Sequence, residues 1–268
     1  MVTKNNLSIL IRIFSYSILA LTLVFLVNNI LTVWFDWPGV KKLFSHYEVF
    51  GFKKLNKPLE GLTINLSYLQ LIFYLISFIA VIFFVLKSLK QSLQKDSEIL
   101  TNITAYIVRS SFWAVLIVGM ADFLISFMVV EKLVEPIFGE QLKINLVIPA
   151  FRITYIHFPL ILISFVVGYY TRTVGFIWLA VLVVGSEFLI VLSRFIFQYE
   201  QAFQGDLVRF WYAALYLFAS AYALIHEGHV RVDVLYTGFS ERKKAWTNAI
   251  GSLILGIPLC LIVIFLGM

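Results

Sequence analysis

Cys260 is the only cysteine in this chain of 268 residues. No disulfide can close within it, and no cysteine metal cluster can be built. Charge is also scarce. Asp, Glu, Lys and Arg make up 13% of the chain, against roughly 25% in a soluble domain. There are four histidines, so the stock of nucleophiles and bases is thin. No glycine-rich phosphate loop, no Ser/His/Asp constellation and no paired catalytic carboxylates occur. What is present is apolar: 61% of residues are hydrophobic and the mean hydropathy is +0.92. Such a chain is an integral membrane protein, with no room for a sizeable soluble domain beside its helices. The net charge of +6 does not point to nucleic acid. Its lysines and arginines sit between apolar runs, where they orient the chain and meet lipid headgroups.

Uncharged runs bounded by charges predict an all-α polytopic bundle of about seven transmembrane helices. The expected spans are Ile13–Phe35, a stretch within Gly61–Leu86, Ser110–Val130, Ile153–Thr171, Thr173–Ser193, Phe210–Ile225 and Ala245–Met268. The sixth is short, and is expected to continue as helix through His226. The N-terminal run is longer than a signal-peptide core and lacks a clear small-residue cleavage site, so it reads as a membrane anchor.

Orientation is harder to read. With a cytoplasmic N-terminus, the 21 lysines and arginines divide almost evenly between the two sides. Glu200 and Asp206 before the sixth span, and Arg231, Arg242, Lys243 and Lys244 after it, favour a cytoplasmic His226–Lys244 loop. The segment from Val40 to Leu55 has the pattern of an amphipathic interfacial helix, with lysines towards headgroups and Phe and Leu towards acyl chains. A faint repeat links Trp113 to Gly119 and Asp122 with Trp178 to Gly185 and Glu187.

Four features could carry chemistry. Asp122 and Glu187 interrupt apolar spans, where a carboxylate costs a few kcal/mol unless paired or protonated. No lysine or arginine inside the spans is expected to partner either acid. They read first as carboxyls holding helices together, and second as a proton or cation site. The third feature is His226, Glu227, His229, Arg231 and Asp233, packed against the end of the sixth span. His226 and His229 at i,i+3, with Asp233 a turn on, could share a helix face as metal ligands. The spacing is not HExxH, and Arg231 opposes a metal, so an interfacial helix end meeting lipid headgroups or a protein partner is the preferred reading. No metal and no cofactor are expected. The fourth is a stripe of small residues on the sixth span, Ala213, Ala214, Ser220 and Ala221, extended by Ala219 and Ala223. Tyr212, Tyr216 and Tyr222 add hydroxyls able to bridge helices.

The same stretch carries family marks. Ser193-Arg194-Phe195 ends one helix, Gly205-Asp206-Leu207 opens the next, and Ala221-Tyr222-Ala223-Leu224 lies inside it. Glu227-Gly228-His229-Val230-Arg231-Val232-Asp233 follows. In these the chain resembles the small membrane subunit, DctQ-like, of tripartite ATP-independent periplasmic (TRAP) transporters, over about residues 172–268. It is similar to a long form with extra N-terminal helices, a type often labelled for mannitol or chloroaromatic compounds. The resemblance implies a division into a membrane extension, 1–171, and a small-subunit region, 172–268. It also implies a fourth family helix beyond the three before Met268.

Its partners would be a large membrane subunit and a periplasmic solute-binding protein, in the bacterial inner membrane. Together they would take up an organic solute, usually a carboxylate, on a sodium or proton gradient. The small subunit would scaffold the large one without enzymatic activity or a substrate site, with the EGHVRVD loop in the cytoplasm. Arg194, Asp206, Glu227, His229, Arg231 and Asp233 become candidate interface residues. Two other readings stand beside this one: an autonomous carrier or channel using Asp122 and Glu187, and a metal-dependent membrane enzyme using the His226–Asp233 cluster.

Overall fold

The computed structural model describes residues 2–55, 57–172, 176–225 and 236–266. Among them the regular structure is helical and no strand occurs. Six helical segments are long and apolar enough to cross a membrane: Asn6–Trp34, Leu62–Lys87, Leu93–Val130, Pro149–Tyr170, Ala180–Phe197 and Glu241–Ile264. The expected sixth span corresponds to a further helix, Ala202–Ile225. At 24 residues and about 1.5 Å per residue it reaches roughly 36 Å, enough for the hydrocarbon core. The polytopic helical bundle is therefore as expected, with longer elements. Exposed Leu, Ile, Val and Phe far outnumber buried ones, as a lipid-facing surface requires.

The chain forms two compact units that are not consecutive in sequence. The first comprises residues 1–114 and 159–173; the second comprises 115–158 and 174–268.

In the first unit, α1 (Val2–Trp34) packs along α3 (Leu62–Lys87). Tyr16, Val81 and Val85 form its core, with Ile9, Ile13, Ala20, Ile99 and Leu100 around them. Between the two helices α2 (Gly39–His46) is pinned against α3: the Gly39 amide donates to Gln70 Oε1 at 2.8 Å. That bond satisfies one of the amides a helix start leaves open. Gly39 has φ +80°, and a side chain there would press on Thr32. The amphipathic segment is shorter than its sequence pattern suggests. Glu48 and Phe50 both take φ 54° and end the helical run. Lys41 and Lys42 do point outward, but Leu43 is 2% exposed. It faces protein rather than acyl chains.

A buried charge cluster closes this unit. Arg12 Nε lies 2.6 Å from Asp96 Oδ2. The carboxylate also accepts from Tyr16 Oη at 2.9 Å and Gln91 Nε2 at 2.7 Å. Arg12 donates further to the Ser88 carbonyl and hydroxyl. The opposite charge and these further hydrogen bonds let both charges stay buried.

The first half of α4 (Leu93–Val130) then packs on α8 (Phe158–Tyr170). Gly168 permits this close approach, since a Cβ there would meet the Ser110 backbone at 3.0 Å. Tyr106 donates to the Phe165 carbonyl, Arg109 to the Gly168 carbonyl and Trp113 to the Thr171 hydroxyl. Of these acceptors the Gly168 carbonyl is one that the last turn of α8 leaves open.

The Arg12–Asp96 pair gives a direct test. Breaking a buried pair strands one charge, and is expected to cost about 3–5 kcal/mol. Arg12→Met and Asp96→Leu should each lower the thermal stability of the detergent-extracted chain, and the double substitution should regain most of the loss. Single variants as stable as wild type would show that the pair is solvated.

Candidate functional site

The second unit contains most of the residues singled out in the sequence. Its second half of α4 carries Asp122, which lies in a polar cluster. Arg152 Nη1 is 3.0 Å from Asp122 Oδ1 and 3.0 Å from Ser126 Oγ. His157 Nε2 lies 3.3 Å from the same carboxylate oxygen. Arg152 also donates to the Leu146 carbonyl. The expectation that no arginine could partner Asp122 is therefore wrong. It failed because Arg152 belongs to the fourth span and not to the loop before it. Pro149 opens α7 (Pro149–Arg152), and a short π-helical turn, Ile153–His157, leads on into α8. The extended Ile148 and Pro149 at the first helical position are a start signal that the sequence displays. Read that way, it places Arg152 in the opening turn. The π turn widens the helix by one residue, and His157 closes it.

Glu187 contrasts with Asp122. It is exposed at the middle of α9 (Phe176–Phe197). Among the described residues it has no hydrogen-bond or ion-pair partner. Gly119 also differs from its counterpart Gly185. A Cβ on Gly119 would fall within 3.0 Å of three indole atoms of the buried Trp211, whereas one on Gly185 would meet only Val181 of its own helix. The two halves of the faint repeat thus do different jobs.

Helices α9 and α10 (Ala202–Ile225) pack as a pair. Leu182, Ser186, Ile190 and Ser193 of α9 are buried, as are Trp211 and Ala214 of α10. The turn between the helices is fastened by amides. Gln204 donates from its side chain to Ser193 Oγ, and its Oε1 accepts from the Gln201 amide at 3.2 Å. Gln201 precedes the helix and Gln204 is its third residue, so the Gln204 side chain meets the backbone amide at the helix start, one half of a capping box. Gln201 and Tyr199 both donate to the Glu131 carboxylate, at the end of α4. That bond pushes the Tyr199 phenol above its ordinary pKa. The sequence reading missed Glu131, Tyr199, Gln201 and Gln204. The Gln-x-x-Gln spacing before an apolar run was the available signal.

Arg194 ends α9, where a cation suits the helix dipole, and it pairs with Glu200 across the turn. Asp206 lies 3.7 Å from Arg209, and both are largely exposed. Arg194 and Asp206 are not brought together. Of the small-residue stripe, Ala214 is buried but Ala213 and Ser220 face outward. His226, Glu227, His229, Arg231 and Asp233 lie outside the described residues. Elsewhere in the second unit, Lys143 holds the exposed Glu135 carboxyl below its usual range and is itself raised in return.

The fold and these polar contacts define a multi-pass helical membrane protein whose intramembrane polar groups mostly lock helices together. Residues 181–268 match the family model of the DctQ component of tripartite ATP-independent periplasmic transporters. The resemblance read from the Ser193–Asp233 motifs is thereby confirmed over that region, with the long N-terminal part ahead of it. No curated protein matches the chain. No solved structure matches it either.

The Asp122 cluster predicts an ordering of variants. Arg152→Met leaves a carboxylate in apolar surroundings and is expected to cost about 2–4 kcal/mol. Asp122→Asn keeps an acceptor for Arg152 and His157 and should cost less. Thermal unfolding in detergent checks the order, and the reverse order would mean that stranding the Arg152 charge costs more than stranding the Asp122 carboxylate.

Proposed function

We propose that the chain is the small permease subunit of a secondary TRAP-type transporter of the bacterial inner membrane. It scaffolds a large membrane subunit, which performs binding-protein-dependent uptake of an organic solute, a carboxylate in the usual case. A sodium or proton gradient drives that uptake. The observation that carries this reading is the match of residues 181–268 to the DctQ component. The residue chemistry supports it. Asp122 is neutralised by Arg152, which disfavours an autonomous cation site there. The chain itself performs no chemical step.

In this reading residues 1–171 add scaffold to the small-subunit region, 172–268. Glu227, His229, Arg231 and Asp233 form a cytoplasmic face for the large subunit or for lipid headgroups. Arg194 and Asp206, on the opposite side, lie where the large subunit or the periplasmic binding protein would dock. The polar composition of both segments, each abutting an apolar helix, supports those roles.

Proteoliposomes test the assignment. The chain alone should give no gradient-driven uptake with any solute. The large subunit should transport only when this chain and the solute-loaded binding protein are both supplied. Arg194→Ala and Asp206→Ala are expected to lower that uptake by roughly tenfold, the loss of about 1.4 kcal/mol of coupling. Gradient-driven uptake by the chain alone, abolished in Asp122→Asn or Glu187→Gln, would replace this reading with an autonomous carrier.

A further inference from the structure

Resting on the subunit reading above, we propose that the outward face of α9 around Glu187 is a docking surface for a transmembrane helix of the large subunit, and that this helix presents a cationic side chain to Glu187. One side of α9 is filled by its own chain: Leu182, Ser186, Ile190 and Ser193 are buried. The other side carries Val184, Phe188 and Val191, each more than half exposed. At i,i+3 and i,i+4 spacing they form one stripe, and Glu187 lies at its centre.

Glu187 also sits at the middle of the helix, far from either interface. At 1.5 Å per residue, about ten residues separate it from each end, or roughly 15 Å. A glutamate side chain cannot snorkel that distance. Hydrocarbon offers a carboxylate neither hydrogen bond nor counter-charge. Two other acids on long helices of this chain are paired: Asp96 with Arg12 and Asp122 with Arg152. Glu187 has none among the described residues, so its partner comes from another chain.

A second helix points the same way. Tyr212 and Tyr216 stand at the middle of α10, 61% and 72% exposed, and among the described residues their hydroxyls have no partner. Buried tyrosine hydroxyls normally find one. Two adjacent helices of the family-matched region therefore each turn unmet polar groups outward at mid-span.

Charge decides the occupant. A second copy of this chain docking face to face would set Glu187 against Glu187, and like charges at low dielectric repel. Among the described residues the arginines carried towards mid-span, Arg109 and Arg152, are already engaged, and Arg12 is buried with Asp96, so none of the three is left for a copy. A lysine, arginine or protonated histidine on the partner's helix completes the site. It would be framed by apolar contact with Val184, Phe188 and Val191, with the Tyr212 and Tyr216 hydroxyls able to accept from it.

The test is photo-crosslinking in the intact complex. The full chain is co-expressed with its large subunit and binding protein, with p-benzoylphenylalanine replacing Phe188 or Tyr216. Both substitutions keep an aromatic ring on an exposed face. The expected result is an adduct with the large subunit from both positions, mapped to a helix that carries a basic residue. Alongside it, Glu187→Gln, which keeps the size of the side chain, should lower the retained large subunit at least tenfold. Adducts with lipid alone, or with a second copy, while the large subunit still co-purifies, would overturn this surface and leave the subunit reading standing. So would full retention by Glu187→Gln, which would remove the cationic partner. If the large subunit is never retained by the wild-type chain, both readings fall together.

Discussion

Hydrocarbon cannot hydrogen-bond, and the arrangement of this chain follows from that one constraint. Every polar group carried below the headgroups must be met by protein or stand unpaired at a cost of several kcal/mol. The helices meet their own backbone groups. The side chains must find one another, and where they do, helices are fixed in register. Arg12 with Asp96, and Arg152 with Asp122, each tie segments distant in sequence. Apolar contacts cannot supply that fixing force, since lipid tails are as apolar as leucine.

The same constraint gives meaning to what is left over. In the first unit the charged groups of the Arg12 cluster pair with one another. In the second unit, Glu131, Gln201 and Gln204 close the turn between α9 and α10, and Asp122 is paired with Arg152. Glu187, Tyr212 and Tyr216 do not fit that pattern. They are turned away from the chain's own core at mid-span. A subunit built to be covered by a larger partner has such a surface, and a self-sufficient carrier does not. The family-matched region, residues 181–268, includes all three.

Much of this was legible in the sequence, because membrane helices announce themselves by length and hydropathy. The spans fell where the uncharged runs lie, and the SRF to EGHVRVD marks led to the matched family. What escaped was tertiary. Arg152 looked like a loop charge, because a span was taken to begin at the first uncharged residue. Pro149 in fact starts the helix and draws Arg152 inside, opposite Asp122. Asp206 and Arg209 likewise sit within α10, which begins at Ala202 and not at Phe210. The amphipathic segment was sound as a pattern, but Leu43 is buried against protein and not lipid, a choice made by packing partners the pattern does not contain. Gln201 and Gln204 went unread, although a glutamine at the third position of a helix is a capping signal that the sequence displays. The equivalence of Asp122 and Glu187 within the faint repeat did not extend to their surroundings.

The central claim is that this chain works as a subunit. Extraction of the tagged full chain from its native membrane in a mild detergent, followed by mass spectrometry of what accompanies it, tests that claim most directly. A large polytopic membrane protein at one-to-one stoichiometry, with a periplasmic binding protein joining it when solute is present, is the predicted result. A chain that emerges alone, homogeneous and stable, would contradict it.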